Sequence, residues 1–174
     1  MAWPEKSERE GLEINGFIKA YELLSGGCQL EVVCKRDKPD YFMRDSLSGE
    51  TYGVELTSVY LNNPSVPDEH MKKVEGILAI PHDEIELQKY KERLVEAVIE
   101  KVCKARKGYD SIHPLILSIY ANEYIGIYLD KAELEELERK YGDVFDDIVP
   151  FSEIVFWSFG NVGAHLVRRS RAFK

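Results

Sequence analysis

Cysteine is scarce in this chain. Cys28, Cys34 and Cys103 are the three in 174 residues, with no C-x-x-C pair and an odd count. That argues against a disulfide scaffold and against a zinc ribbon, and it fits a reducing cytoplasm. Long apolar runs are missing as well; stretches such as Ile77 to Ile80 and Leu115 to Leu117 are short. A membrane helix needs about 20 consecutive apolar residues, so none is expected and no membrane partner is foreseen. The residues Met1-Ala-Trp-Pro-Glu-Lys-Ser-Glu lack the apolar stretch that marks a secretory signal. His70, His82, His113 and His165 show no metal-ligand spacing such as H-x-x-x-H, and no G-x-S-x-G occurs. Basic residues are outnumbered 23 to 31, for a net charge of −8. An acidic chain is poorly suited to non-specific coating of nucleic acid, but a site built from carboxylates would itself add to that acidity.

What is present is enough for a core. Hydrophobic residues make up 44% and charged residues 31%, which excludes wholesale disorder. There is no internal repeat and no convincing linker, so residues 1–174 read as one domain. Ser7 to Leu24 is the first expected helix: Ser7 and Glu10 form a capping-box pattern, and Ile14, Phe17, Ile18, Tyr21 and Leu24 recur at helical spacing. Gly26-Gly27 stops it. Gln29 to Cys34, Pro39 to Met43 and Thr51 to Leu61 read as three strands of an antiparallel meander, with a turn at Ser46-Leu-Ser-Gly49.

Residues 62–83 hold Pro64, Pro67 and Pro81 and read as a long excursion, partly helical around His70 to Leu78. Glu84 to Lys107 is a strong helix. Pro114 to Ala121 is an apolar strand of the kind buried on both faces, and Tyr124 to Leu129 a further short strand. Asp130 caps a helix to Tyr141, closed by Gly142. Glu153 to Phe159 and Ala164 to Arg168 flank Gly160-Asn-Val-Gly163 as a hairpin. Tyr124, Tyr128, Phe151, Phe156, Trp157 and Phe159 are expected in the core or sheet. The class is α/β, a mixed sheet carrying helices.

One pair of acids carries the chemical signal. Asp40 follows Pro39, and Glu55 stands fifteen positions later within Gly53-Val-Glu-Leu-Thr57. A turn between two antiparallel strands could return the chain so that both carboxylates meet. Alternation puts Glu55 on one face with Gly53 and Thr57, and Val54, Leu56 and Ser58 on the other. A carboxylate among apolar neighbours is costly unless paired. A divalent cation is one partner: Mg²⁺ takes hard oxygen ligands and can act on a phosphodiester. The bland readings are a turn residue for Asp40, a solvent-facing or Arg44-paired acid for Glu55, a cap for Glu10, and a solvated helix position for Glu13.

Pro39-Asp40, the fifteen-residue interval and Glu55-Leu-Thr57 together resemble the PD-(D/E)XK nuclease superfamily, the restriction-endonuclease-like fold. Its shared core of helix, three-stranded meander, helix and strand is similar in order to residues 7–121, leaving 122–174 as an extension with a helix and a hairpin. The resemblance implies Mg²⁺ (or Mn²⁺) held by Asp40 and Glu55, with the Leu56 carbonyl and a first-helix acid, Glu10 or Glu13, as further ligands. It implies DNA as substrate and, as for many such proteins, a homodimer. The family lysine is expected at position 57, where this chain has Thr57. Lys101, in Ile99-Glu-Lys101-Val-Cys-Lys104 ahead of Tyr109, is the first candidate to replace it, Lys104 the second and Lys38 the third. Arg168, Arg169 and Arg171 are candidate phosphate contacts. The alternatives are a catalytically silent nuclease-fold protein serving as a binding module, and an α+β protein of unrelated function.

Overall fold

Alternation along one strand divides the molecule into layers. In the strand Leu115–Ala121 every residue is buried. Leu115, Leu117, Ile119 and Ala121 belong to one apolar cluster, Ile116 and Tyr120 to another. A strand whose side chains alternate between faces can be apolar throughout only if both faces are covered. The computed structural model, which describes residues 6–59, 84–109, 114–121, 129–158 and 164–168, shows what covers them.

Among the described residues the order is α1 (Lys6–Ser25), β1 (Leu30–Lys35), β2 (Tyr41–Asp45), β3 (Thr51–Val59), α2 (Glu84–Arg106), β4 (Leu115–Ala121), α3 (Lys131–Lys140), α4 (Gly142–Phe145), β5 (Phe151–Trp157) and β6 (His165–Arg168). The six strands form one mixed sheet in chain order. The pairs β1–β2 and β2–β3 are antiparallel, β3–β4 and β4–β5 parallel, and β5–β6 antiparallel. The chain is therefore of the α/β class, with the helix, meander, helix, strand sequence over its first part.

Helix α1 covers one face through Ile14, Phe17, Ala20 and Tyr21, packed with Met43, Val54, Leu56, Val155 and Trp157. Helices α2, α3 and α4 cover the other, where Leu94, Val98, Leu134, Leu137 and Phe145 meet Leu117, Ile154 and Phe156. The indole N–H of Trp157 donates to Ser118 Oγ at 2.8 Å, satisfying both groups inside the core. Phe151, Phe156 and Trp157 are all buried, as expected of core aromatics.

Several boundaries differ from the sequence reading. Ser7 lies inside α1, and Glu10 reaches Lys35 on β1, so that pair is not the helix's start. Pro39 and Asp40 precede β2, which begins at Tyr41. Gly142 opens the one-turn α4, because the chain coils again after the Tyr141 cap of α3. Strand β5 starts at Phe151, two residues early. Asp130 does cap α3, accepting from Glu133 N–H at 2.9 Å. The helix expected near His70 to Leu78, the strand from Tyr124, the aromatics Tyr128 and Phe159 and the Gly160–Gly163 turn lie outside the described residues. No helix among the described residues is long and apolar enough to cross a membrane.

Candidate functional site

The site begins where a ladder ends. Strands β2 and β3 pair from Arg44↔Thr51 to Tyr41↔Val54. Strand β3 then runs on to Val59, paired with β4 along its other edge from Gly53↔Leu115 to Val59↔Ala121. On the β2 side the Leu56 N–H has run past its last cross-strand neighbour. The Asp40 carboxylate takes it instead, with Oδ2 accepting at 2.8 Å. A residue just outside a strand thus supplies the acceptor that a longer strand would have offered.

The Glu55 side chain faces α2. It is 4% exposed, and its Oε1 accepts two bonds: Lys101 Nζ at 2.7 Å and the Tyr109 hydroxyl at 2.6 Å. Lys101 Nζ also donates to the Leu56 carbonyl at 3.2 Å. The backbone of one residue therefore links both acids: the Leu56 N–H is held by Asp40, and the Leu56 C=O, in the next peptide unit, by the ammonium that pairs with Glu55. The other Glu55 oxygen, Oε2, is buried and has no hydrogen-bond partner among the described residues.

Helix α2 selects which lysine arrives. Its buried stripe is Tyr90, Leu94, Val95, Val98, Val102 and Ala105. Lys101 stands three residues after Val98 and four before Ala105, so it shares their face and lies at the rim of the stripe. Lys104 adjoins Ala105, about 100° further round the helix, and is exposed. Lys38 is exposed too, and neither joins the bonds around Glu55. Tyr109 follows the end of α2, where its N–H donates to the Ala105 carbonyl at 3.1 Å. Its ring stands edge-on to Phe151 at 6.5 Å between centroids.

The electrostatics are those of acids crowded out of water. Burial, together with Glu55 and Glu10 nearby, pushes Asp40 up to about 6, against the lowering effect of the Leu56 N–H and Lys101. Burial also raises Glu13, opposed by the Ser58 hydroxyl that donates to it at 2.5 Å and by Arg9, and reinforced by Glu10 and Asp40. Burial and the Glu55 carboxylate raise the Tyr109 phenol well above its ordinary range, so it stays a proton donor at any working pH.

The structure brings Asp40, Glu55, Leu56 and Lys101 together. Glu13 lies at the α1 end of the same region on Ser58, and Glu10 is engaged by Lys35. Arg44 pairs with Glu31, not with Glu55. The backbone of Arg168 pairs with Glu153 at the far end of the sheet order from β2; its side chain, Arg169 and Arg171 lie outside the described residues. Tyr109 is the contact that sequence reasoning missed, a lone tyrosine 54 positions from its partner.

Among the described residues no group of three or more His, Cys, Asp and Glu side chains is arranged to hold a metal ion. Mg²⁺ asks for less, since it binds through one or two carboxylates and keeps several waters. Asp40, the bare Oε2 of Glu55 and the Leu56 carbonyl are hard oxygen donors of that kind. An unbonded buried carboxylate oxygen beside an acid already resisting ionisation is an environment that a cation would relieve. Comparison of the chain with protein-family models, with curated proteins and with solved structures finds no match.

Proposed function

We propose that this chain is a metal-dependent, nuclease-like phosphodiester hydrolase, with DNA as its substrate class. The observation that carries the reading is the Lys101 ammonium bonded to both Glu55 and the Leu56 carbonyl. The lysine that the resemblance expects at position 57 has a counterpart from α2, delivered to the same face of β3. Asp40, Glu55 Oε2 and the Leu56 carbonyl would hold Mg²⁺ or Mn²⁺. When bound, such an ion supplies Lewis-acid polarisation of a phosphoryl oxygen.

The chain's own residues do the rest. Asp40 is fixed by the Leu56 N–H and so presents its carboxylate from a set position. Lys101 is a fifth exposed, which lets its flexible stem carry the charge between Glu55 and a phosphate oxygen. There it would stabilise the negative charge that develops during attack. A reducing cytoplasm is the compartment this reading assumes, and the unpaired state of Cys28, Cys34 and Cys103 agrees with it.

Purified protein is expected to nick or cleave plasmid DNA with Mg²⁺ or Mn²⁺ and to lose that activity as Asp40→Ala or Glu55→Ala. Robust cleavage by both variants would refute the site. Thr57 supports a second reading, a silent nuclease fold serving as a binding module. Calorimetry separates them: the silent scaffold predicts no Mn²⁺ uptake at millimolar concentration.

A further inference from the structure

The two donors at Glu55 are unevenly placed. Both Lys101 Nζ and the Tyr109 hydroxyl bond to Oε1, at 2.7 and 2.6 Å, while Oε2 is buried and bare among the described residues. A carboxylate offers about four acceptor positions over two oxygens. If these donors served only to satisfy a buried acid, spreading them over both oxygens would serve better, because a buried acceptor left unbonded is costly. Crowding them onto one oxygen fixes the rotation of the carboxyl group and turns the second oxygen outward from both donors.

The donors differ in what holds them. Lys101 sits on a flexible four-carbon stem at the rim of α2. Tyr109 is held independently of Glu55: its N–H closes the helix on Ala105 and its ring is seated edge-on against Phe151. When the ammonium moves to a phosphate, the phenol is the partner that stays.

We propose that Tyr109 is a positioning residue for the cation-facing oxygen of Glu55, its hydroxyl pinning Oε1 so that Oε2 is free to meet a divalent cation, a role that presupposes Asp40 and Glu55 as cation ligands. Tyr109 does not touch the ion. It sets the orientation of the group that does, as partners behind metal ligands do, and losing such a partner costs about 10-fold or more in affinity.

The test is a calorimetric titration of the full chain with Mn²⁺, comparing wild type, Asp40→Asn and Tyr109→Phe. Each protein's fold is checked by circular dichroism and thermal unfolding in chelator. Wild type is expected to bind, Asp40→Asn to lose binding, and Tyr109→Phe to bind about 10-fold more weakly at the same stoichiometry. In plasmid cleavage Tyr109→Phe should raise the Mg²⁺ concentration for half-maximal rate and recover kcat at saturating Mg²⁺, a split that a merely structural role would not produce. Phe151→Leu guards against misfolding of the first variant: it keeps the phenol, loosens its seat, and should weaken Mn²⁺ binding in the same direction. Wild-type affinity in Tyr109→Phe or in Phe151→Leu, with Asp40→Asn still defective, overturns the role of Tyr109 and leaves the cation site standing. Failure of wild type to bind Mn²⁺ overturns both.

Discussion

The Lys101 ammonium lies 2.7 Å from Oε1 of Glu55, a residue 46 positions earlier in the chain. Helix α2 and strand β3 form the two sides of that contact, and the helix's buried stripe sets which of its lysines can make it. The pairing puts a positive charge beside a buried acid without placing it on the strand itself.

If Lys101 stands in for a strand lysine, Lys101→Met should lower the single-turnover rate of DNA cleavage by about 10²- to 10³-fold, the loss typical of removing one charge-stabilising donor. Thr57 lies on the same face of β3 as Glu55, so Thr57→Lys should do little in the wild type yet restore part of the rate in Lys101→Met. Equal rates for Lys101→Met and wild type would remove Lys101 from the chemistry.

The same pair predicts an asymmetry in stability. Lys101→Met leaves the buried Glu55 carboxylate with one donor and should cost about 1–3 kcal/mol. Glu55→Gln removes the buried negative charge and should cost less or stabilise, and it should abolish cleavage if Glu55 holds the cation. Urea unfolding of both variants in chelator reads the difference, and a larger loss for Glu55→Gln would contradict it.

Acid should act in opposite directions at two aspartates. Asp40 is raised to about 6 in the folded chain from 3.8, so the folded state holds the extra proton between those values. Its contribution makes the protein more stable as pH falls from about 6 toward 4, and Asp40→Asn should flatten that slope. Asp45 is held low by the Ser48 hydroxyl and the Gln29 and Leu47 N–H groups. The stability it gives is present above pH 3.8 and is lost below it, as pH falls through the folded value. Mn²⁺ affinity should drop as pH falls below about 6, where protons compete for Asp40. Thermal melts and titrations across pH 3 to 8 check all three.

Two glycines are fixed by close approach. A Cβ at Gly16 would meet the Trp157 ring at 2.3 and 2.4 Å, and one at Gly53 would meet Leu115 Cδ2 at 2.5 Å and Pro39 Cγ at 2.7 Å. Gly16→Ala should destabilise by about 1–3 kcal/mol through overpacking while leaving Mn²⁺ affinity intact. Gly53→Ala should destabilise similarly and also weaken Mn²⁺ binding, because Pro39 is displaced beside Asp40. Denaturation paired with titration separates the two effects.

Much of this was legible in the residues. The Val-, Tyr- and Thr-rich composition of the stretch from Thr51, the unbroken apolar run before Ala121 and the stripe on α2 announce their elements locally. The Pro39-Asp40 and Glu55 spacing survives as proximity because one short hairpin joins them. Lys101 was nameable because a helix rim has few positions. Local pattern says nothing about which strands run parallel, so the β3–β4–β5 register is visible only in the fold. Tyr109 was hidden for the same reason: a lone tyrosine after a helix acquires its meaning from a strand 54 positions away. Ser7 and Glu10 misled because a cap pattern and an interior helix pair look alike until Lys35 arrives from β1.

The early end of β2 has a further consequence. The junction between the two acids is the main chain of one residue, whose N–H and C=O, in successive amides, offer a donor and an acceptor whatever side chain stands at position 56. Substitution there can alter packing against α1, but no ordinary replacement except proline removes the hub's hydrogen, and none removes its oxygen. The centre of the arrangement is therefore written in strand length, and an insertion that let β2 continue alongside β3 would dismantle it without changing one of its side chains.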